Sequence, residues 1–391
     1  MYMDNTTLIR GAFLRNGGIL RLIPNFAAYN FSKPGFRLRL HPHDYYAFGT
    51  KRGAVKERLL STVMDPVSLV DAGGEAVSLR DFVSELGAEL IGDALMEKHG
   101  GWPMHAKFFD YGEPLFHHLH LGFEDAARVG SLGKPEAYYY PPQMNNYPGT
   151  FPHTYFGFAP GVTREMVKER LLDFENRDTR LTELSRAFRI ELGTGWYTPP
   201  GVLHAPGSCC TYEPQWNSYM GAVFENVTAG EVNSYDRLSH NCPEDKKRDL
   251  DYIIGFLDWE KNTDPLFREH YFRPPIVSAE DDDHTEKWIV YGNDYFSAKE
   301  LTVRPGRSVT VKDEAAYGCV FVQGHGRFGP YDAESPVMFR LGQRTADEYF
   351  VSEKAAREGV AVSNASSFEP LVMLRHFADN NPDAPGVIPD A

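Results

Sequence analysis

The chain has 391 residues, 42% hydrophobic and 13% aromatic, and a formal net charge of −14 at pH 7. This length predicts about two domains on the usual scale of ~100 to 200 residues each. The acidic balance, with no block of lysines or arginines to offset it locally, argues against nucleic acid and anionic membrane surfaces as partners. We therefore expect a small-molecule partner. The 35 glycines and 27 prolines favour short strands joined by tight turns.

Cysteine usage and the lack of apolar segments indicate the compartment. The four cysteines form no CxxC pair and are too few for a disulfide framework, which favours a reduced setting. The N-terminal residues do not resemble a signal peptide, and no run of about 18 apolar residues occurs. We therefore predict a cytoplasmic protein. The oligomeric state does not follow from the sequence.

The first third of the chain shows a strand pattern followed by a helical one. Residues 8–50 alternate between apolar and polar, which predicts an N-terminal sheet with Phe36–Leu40 as one strand. Over about 78–97 the apolar residues recur at three- and four-residue spacing, and Ser78 is suited to be the N-cap. We expect this helix to be broken at its internal glycines.

A second helical insertion is predicted over about 163–188. It would consist of two helices, Thr163–Phe174 and Thr179–Phe188, with Thr163 as the N-cap of the first. From 288 to 377 the chain returns to short strands separated by glycines and charged turns.

A candidate metal site begins in Pro114-Leu-Phe-His-His-Leu-His120. Successive side chains of a strand point to opposite faces, so His118 and His120 share one face and can bind one ion. His117 lies on the other face, where we expect it to be structural or to orient a ligand.

Two later residues complete a candidate ligand set. Glu136, in Gly-Lys-Pro-Glu, offers a carboxylate, and His204, in Pro-Pro-Gly-Val-Leu-His, offers a third imidazole. Three histidines and one carboxylate suit Zn, Mn, Fe, Ni or Co, and the ligand types alone do not choose among these metals. Glu124, four residues after His120, competes with Glu136 for the carboxylate position.

These motifs resemble those of a known superfamily. Gly193 to His204 follows the second cupin motif, and His118-x-His120 fits the first. The flanking context narrows the resemblance to the type I mannose-6-phosphate isomerases, especially the short bacterial form with two cupin-like barrels. Four segments carry this resemblance and occur in family order: Pro114-Leu-Phe-His-His-Leu-His120, Gly130-Ser-Leu-Gly-Lys-Pro-Glu136, Pro199-Pro-Gly-Val-Leu-His204 and Tyr235-Asp-Arg-Leu238.

The resemblance implies a mainly β fold of two cupin (jelly-roll β-barrel) domains with helical insertions. We place the boundary near Arg273-Pro-Pro275. Residues 1–270 would form the metal-binding cupin domain, and residues 271–391 a second, degenerate cupin-like domain.

The resemblance also implies the ligands and the metal. The family's Gln, His, Glu and later His fall on His118, His120, Glu136 and His204, so a histidine replaces the glutamine. One divalent ion is expected, with zinc first and Mn, Fe, Ni or Co as alternatives. Glu124 has the spacing of the glutamate in ordinary cupins, but we favour Glu136 because Gly-Lys-Pro precedes it.

Two departures from the family bear on the substrate. Phe116 replaces the small serine associated with the phosphate end of the substrate, and the family's catalytic arginine has no counterpart in residues 230–234. The first change removes a hydrogen-bond donor and the second a guanidinium. We therefore expect a substrate other than mannose 6-phosphate, and whether catalysis survives loss of the arginine stays open.

The functional prediction is a metal-dependent isomerase that interconverts an aldose and a ketose, acting on a sugar or sugar phosphate. Lys134, two residues before Glu136, is the first candidate for an acid or cationic role, and the family geometry would bring Asp236 and Arg237 to the site. The alternatives are an oxygen-dependent metal cupin of the dioxygenase type and a sugar-binding cupin without catalysis.

Overall fold

The computed structural model describes residues 5–27, 32–48, 51–54, 67–145 and 149–386. The α-helices in this part are Asn5–Arg15 (α1), Pro42–Phe48 (α2), Leu79–Leu86 (α3), Ala88–Ile91 (α4), Asp93–His99 (α5), Phe123–Ala127 (α6), Arg164–Leu171 (α7), Tyr235–Ser239 (α8), Leu250–Ile254 (α9), Trp259–Asn262 (α10), Phe267–Tyr271 (α11) and Glu353–Glu358 (α12). Short 3₁₀ turns cover Leu181–Glu183 and Glu244–Lys246. No helix in the described ranges is long and apolar enough to cross a membrane.

The strands are Ile19–Ile23 (β1), Asn25–Ala27 (β2), Lys51–Ala54 (β3), Leu69–Asp71 (β4), Ala76–Ser78 (β5), Met104–Asp110 (β6), His118–His120 (β7), Glu136–Tyr139 (β8), His153–Phe158 (β9), Ser185–Arg189 (β10), Gly195–Thr198 (β11), His204–Ala205 (β12), Cys210–Trp216 (β13), Gly221–Val223 (β14), Val227–Thr228 (β15), Glu231–Val232 (β16), Phe272–Arg273 (β17), Ile276–Glu280 (β18), His284–Val290 (β19), Ser297–Val303 (β20), Ser308–Val311 (β21), Tyr317–Gln323 (β22), His325–Phe328 (β23), Tyr331–Glu334 (β24), Glu348–Val351 (β25), Val360–Asn364 (β26) and Leu371–Phe377 (β27).

Four sheets build two barrels. The first barrel combines a five-stranded sheet, β10-β9-β12-β7-β14, with a seven-stranded sheet, β17-β11-β8-β13-β6-β3-β2. The second combines a nine-stranded sheet, β18-β19-β20-β27-β22-β25-β1-β4-β5, with a four-stranded sheet, β21-β26-β23-β24. The predicted fold class is confirmed: the protein is mainly β, with two cupin barrels and helical insertions.

The N-terminal strands join both barrels. β1 pairs with β25 in the second barrel, with Ile19 opposite Val351, whereas β2 and β3 extend the seven-stranded sheet of the first. β17 belongs to the first barrel and β18 to the second, so the change of sheet falls between Arg273 and Ile276. The division into 1–270 and 271–391 stays a prediction, and part of it lies outside the described residues.

The first helical segment follows the predicted pattern. Ser78 is its N-cap as predicted, because the hydroxyl accepts a hydrogen bond from the Asp81 amide. The segment divides into α3, α4 and α5 at Gly87 and Gly92, which have φ values of 53° and 88°. Such positive values are readily available to glycine and end each helix.

The second helical prediction is only partly correct. Thr163 caps α7 as predicted, but the expected helix Thr179–Phe188 is wrong. Arg180 lies in the left-handed region at φ 51°, a single 3₁₀ turn follows, and the chain then enters β10. Pairing of β10 with β9 satisfies the backbone hydrogen-bonding groups of β10. This gain outweighs the weak helical preference that the spacing of apolar residues indicates.

The predicted strand Phe36–Leu40 is also wrong. Phe36 and Arg39 have φ values of 63° and 60°, which no strand residue adopts, and only Leu40 makes an isolated bridge. Their neighbour Arg37 forms a buried ion pair with Asp110 at 2.7 Å. Tertiary contacts of the arginines, rather than a ladder, therefore fix this segment.

Alternation along β8 separates two cores. Ala137 and Tyr139 belong to the hydrophobic cluster that lies between the barrels. Tyr138 and Tyr140 belong to the aromatic cluster inside the first barrel, together with Trp196. Because side chains alternate, Glu136 points to the same interior as Tyr138.

Candidate metal centre

His118, His120 and His204 converge inside the first barrel. His118 and His120 are the ends of β7, and His204 begins the neighbouring strand β12, where it lies opposite His118. The ring centroid of His204 lies 4.2 Å from that of His118 and 5.0 Å from that of His120. The short strands thus bring the three imidazoles into mutual contact.

Glu136 closes this cluster from the opposite sheet. Its Oε1 lies 3.1 Å from Nε2 of His204, and its Oε2 lies 3.1 Å from Nε2 of His120. One potential ligand atom from each of the four residues lies within 4.8 Å of the others, and this is the one such group in the ranges that the structure describes. The structure therefore brings together all four residues that the sequence predicts as ligands.

Hydrogen bonds fix two of the imidazoles with Nε2 free to bind. Nδ1 of His118 donates to the carbonyl of Phe116 at 3.0 Å, and Nδ1 of His204 donates to the carbonyl of Val202 at 2.8 Å. A ring whose Nδ1 carries the proton presents the lone pair of Nε2. This arrangement is the usual one for histidines that bind metals.

The charge balance of the cluster suits a cation. Burial lowers the pKa of His118 well below its ordinary value and that of His120 to about 3, so both rings are neutral. Burial would raise the pKa of Glu136, but Lys134 and the histidines outweigh it and hold this pKa well below its usual range. Neutral imidazoles and an ionised carboxylate are the protonation states that metal binding requires.

Buried atoms without hydrogen-bond partners show that a metal would fit here. Nε2 of His204 is buried and makes no hydrogen bond, and Oε2 of Glu136 lacks one of good geometry, although it forms an ion pair with Lys134 at 3.0 Å. An unsatisfied buried nitrogen of this kind is costly, and an ion in the cluster would satisfy it. The donor set and its geometry therefore fit one divalent metal ion.

The loop before His204 is held by one buried amide. Nδ2 of Asn262 donates to the carbonyl of Gly201 at 2.7 Å, and its Oδ1 accepts from the amide of Leu203 at 2.9 Å. Gly201, at φ 79°, also donates its own amide to the carbonyl of His120 at 2.7 Å. The Pro-x-Gly-x-x-His motif thus ties β12 to the strand that carries the other histidines.

The competing carboxylate does not reach the cluster. Glu124 is exposed on α6, and the group of potential ligands does not include it. Glu136 is only 1% exposed. The geometry therefore favours Glu136 as the carboxylate ligand.

Lys134 lies in direct contact with two of the candidate ligands. Its Nζ is 2.8 Å from Nε2 of His120 and 3.0 Å from Oε2 of Glu136, the atoms that would hold an ion. Burial lowers the pKa of Lys134 to about 8, although Glu136 opposes this change. A lysine with this pKa can exchange a proton near neutral pH.

Asp236 and Arg237, on α8, are placed differently from each other. Asp236 is exposed, and it is not among the described residues that form the metal cluster. Arg237 is half-buried, with its guanidinium 5.5 Å from the ring centroid of Phe116, and donates to Oδ1 of Asn233 at 2.6 Å. The Phe116 ring in turn packs edge-on against the His118 ring, with their centroids 5.6 Å apart. Phe116 therefore lies between Arg237 and the cluster.

Sequence reasoning missed a second buried ion pair beside the centre. Lys107 on β6 lies 2.8 Å from Glu213 on β13 and donates to Gln215 at 2.6 Å, and Tyr111 donates to Glu213 at 3.2 Å. These side chains share the barrel interior with Glu136, because Gln215 and Glu136 are register partners. A lysine flanked by Ala106 and Phe108 in the strand β6 is the signal that could have identified this pair.

His117 lies on the face of β7 away from the cluster, as predicted. Both its backbone amide and its Nδ1 donate to Oε2 of Glu225 at 2.8 Å. Its ring also packs against Tyr155 with the centroids 4.8 Å apart. This contact anchors the residue that precedes His118.

Known proteins resemble this chain in structure rather than in sequence. No protein-family model matches the chain, and no curated protein matches its sequence. Solved structures match across nearly the whole chain. A point mutant of phosphomannose isomerase from Salmonella typhimurium is 12% identical, with a TM-score of 0.65 over 93% of this chain and 100% of that chain.

Two further structures give the same result. The mannose 6-phosphate isomerase from Bacillus subtilis is 16% identical, with a TM-score of 0.62 over 92% of this chain and 99% of that chain. A zinc-bound mannose 6-phosphate isomerase is 12% identical, with a TM-score of 0.64 over the same shares, 92% and 99%. This chain therefore has the fold of the mannose-6-phosphate isomerases.

Proposed function

We propose that this protein is a metal-dependent aldose–ketose isomerase that acts on a sugar or sugar phosphate. It would be a divergent relative of the short type I mannose-6-phosphate isomerases. The observation that carries the proposal is the convergence of His118, His120, Glu136 and His204 beside a buried lysine, in a chain with the fold of those enzymes. As part of the same proposal, the partner is a small molecule and the protein is located in the cytoplasm.

The metal is proposed to be zinc, since a solved structure with the same fold is zinc-bound. His118, His120, Glu136 and His204 would hold it. When bound, a divalent ion supplies Lewis-acid chemistry that polarises a carbonyl oxygen. Manganese, iron, nickel and cobalt remain alternatives because the donor types suit them as well.

Lys134 is proposed to move a proton at the substrate. Its Nζ contacts two of the ligand residues, and its pKa of about 8 lets it act as an acid or a base near neutral pH. Isomerisation of an aldose requires proton movement between adjacent carbons and between their oxygens. Arg237, one ring away from His118, is proposed to contact a part of the substrate farther from the metal.

The substrate is proposed to differ from mannose 6-phosphate. Phe116, which takes the place of the family's serine, is buried edge-on against His118 and belongs to a small apolar cluster against which Val223 packs. An aromatic ring offers no hydroxyl to a phosphate oxygen, so this edge of the site favours an apolar or unphosphorylated part of a substrate. The segment that lacks the family arginine includes β16, whose residues are exposed.

Elemental analysis followed by a substrate panel tests the function. The purified protein should contain about one divalent ion per chain, and this form should convert one of a set of free and phosphorylated aldoses and ketoses. Turnover that persists unchanged in metal-free protein would refute the proposal. Turnover that stops without oxygen would instead indicate the oxygen-dependent class, and sugar that binds in calorimetry but returns unchanged would indicate a binding protein.

A further inference from the structure

Tyr219 lies beside the metal centre, in a segment that has no role in the proposed chemistry. Tyr219 precedes β14, whose first residue, Gly221, pairs with His120. The Nζ of Lys134 is 5.7 Å from the centroid of the Tyr219 ring. Tyr219 is half-buried.

A buried histidine lies behind this tyrosine. His105, on β6, is only 1% exposed, and its Nε2 lies 3.5 Å from the hydroxyl of Tyr219, which is longer than an ordinary hydrogen bond. The two rings lie 5.8 Å apart at an interplanar angle of 31°. Hydrogen bonds of this length are common in sites without substrate and tighten when substrate binds.

The hydrogen bonds of Asn217 fix the tautomer of this histidine. Nδ2 of Asn217 donates to the carbonyl of Trp102 at 2.8 Å, so its Oδ1, 3.0 Å from Nδ1 of His105, must accept. His105 therefore carries its proton on Nδ1 and presents the lone pair of Nε2 to the Tyr219 hydroxyl. The hydroxyl can donate to His105 while its oxygen accepts from a substrate.

The backbone around Tyr219 is held rigidly. The Asn217 amide donates to the carbonyl of Pro103 at 3.0 Å, and the Ser218 hydroxyl donates to the carbonyl of Leu132 at 2.6 Å. These bonds tie the residue to the strand of His105 on one side and to the loop of Lys134 on the other. Relays of this kind require such fixed positions.

We propose that Tyr219 and His105 form a proton relay for a hydroxyl group of the substrate, an inference that rests on the isomerase function proposed above. The substrate O–H bond breaks, its proton passes to the Tyr219 oxygen, and the proton of Tyr219 passes to Nε2 of His105. The electron pair stays on the substrate oxygen, and His105 becomes an imidazolium whose Nδ1–H remains bonded to Asn217. The reverse transfer restores the relay after isomerisation, and no oxidant or further reactant is needed.

The charged groups of neighbouring elements are compatible with this transfer. Lys134 faces Tyr219 from the loop before β8. Lys107, two residues from His105 on β6, is paired with Glu213 on β13 at 2.8 Å. Glu213 therefore balances the charge of Lys107, the lysine nearest to His105 along the strand.

Two conservative variants of the full metal-loaded chain test the relay, with the substrate that the panel identifies. Tyr219→Phe removes only the hydroxyl, and His105→Gln can still bond Asn217 and accept from Tyr219 but cannot take a proton. Each should lower kcat by about 100-fold or more, with metal content unchanged and KM within about threefold. The solvent deuterium isotope effect should indicate two moving protons in the wild type and fewer in His105→Gln. Tyr331→Phe, the same change in the second barrel, should leave kcat unchanged.

The outcomes separate this inference from the function on which it rests. Wild-type kcat in either variant would overturn the relay alone, provided that the wild type itself turns over. A loss that appears only in KM or in metal content would also overturn it, because a structural role would produce that result. A metal-loaded wild type without turnover on any sugar would overturn the function and the relay together.

Discussion

His118 and His204 lie opposite each other across the antiparallel bridge between β7 and β12, and their ring centroids are 4.2 Å apart. Each ring is held by a hydrogen bond from its Nδ1 to the carbonyl two residues earlier in the chain. The two strands therefore fix both the position and the tautomer of the two imidazoles.

Removing either of these imidazoles should abolish metal binding. In His118→Ala or His204→Ala we expect the metal content to fall from about one ion per chain to near zero and isomerase activity to fall by orders of magnitude. The stabilisation by added zinc, about 2.7 kcal/mol at a concentration 100 times the dissociation constant, should also disappear. Elemental analysis and thermal unfolding with and without zinc measure both effects. His325→Ala, an exposed position in the second barrel, is the control and should behave as wild type.

The two candidate carboxylates form a matched pair for a second test. Glu136→Gln removes the buried charge between His120 and His204, so we expect metal affinity to fall at least 100-fold. Glu124→Gln changes an exposed side chain on α6 and should alter affinity less than twofold. Competition with a chromophoric chelator measures both. Equal losses in the two variants would contradict the assignment of Glu136.

Lys134→Met should separate metal binding from turnover. The lysine contacts the two atoms of His120 and Glu136 that would hold an ion, so its removal takes away a competing positive charge. We expect the variant to bind zinc at least as tightly as the wild type and to lose about 10²- to 10⁴-fold in kcat, the usual contribution of an acid–base group. Weaker zinc binding would show instead that Lys134 supports the ligands.

The second barrel contains a buried charge cluster that should make stability depend on pH. Glu286 lies 2.9 Å from Lys299 and also pairs with Arg375, while Asp313 lies 2.8 Å from Lys299 and 2.9 Å from Arg375. Burial raises the pKa of Glu286, but Arg375 and Lys299 outweigh it and hold this pKa at about 2. Asp313 is more deeply buried, so there burial outweighs the effect of Arg375 and Lys299 and raises the pKa of Asp313.

The sign of the effect follows from the lowered pKa of Glu286. Stabilisation by this group is complete above its unfolded pKa of 4.5 and is lost as the pH falls through about 2. The shift corresponds to roughly 3 kcal/mol. Glu286→Gln should therefore lower the free energy of unfolding by about this amount at pH 7 and by little at pH 2. Urea unfolding across this range measures it, and a deficit that does not change with pH would contradict the prediction.

A hydrogen bond from a tyrosine hydroxyl on β8 links the first barrel to the second. Tyr139 points away from the metal centre and donates to Glu300 on β20 at 2.7 Å. We expect Tyr139→Phe to cost about 1 to 3 kcal/mol, since the change leaves a buried acceptor without its donor. A double-mutant cycle with Glu300→Gln should give a coupling energy above 0.5 kcal/mol, and additive losses would show that the bond contributes nothing.

Local patterns in the sequence predicted the parts of the site that lie within short segments. Alternation along a strand placed His118 and His120 on one face, and the side-chain preferences of helix N-termini identified Ser78 and Thr163 as caps. The same local reasoning failed at Phe36–Leu40 and at Thr179–Phe188. There, contacts with distant residues overrode the spacing of apolar side chains.

The sequence by itself determined the mainly β character of the chain and placed His118 and His120 on one face of a strand, because turn residues and strand alternation are properties of neighbouring residues. It assigned His204 and the carboxylate only through the resemblance of their motifs to a known family. Only the tertiary structure placed Glu136 rather than Glu124 beside the three histidines, paired Lys107 with Glu213, and brought His105 close to Tyr219. These relationships depend on which strands pair and in which register. Register is fixed by burial over the whole sheet, so residues far apart in sequence meet only when the barrel closes.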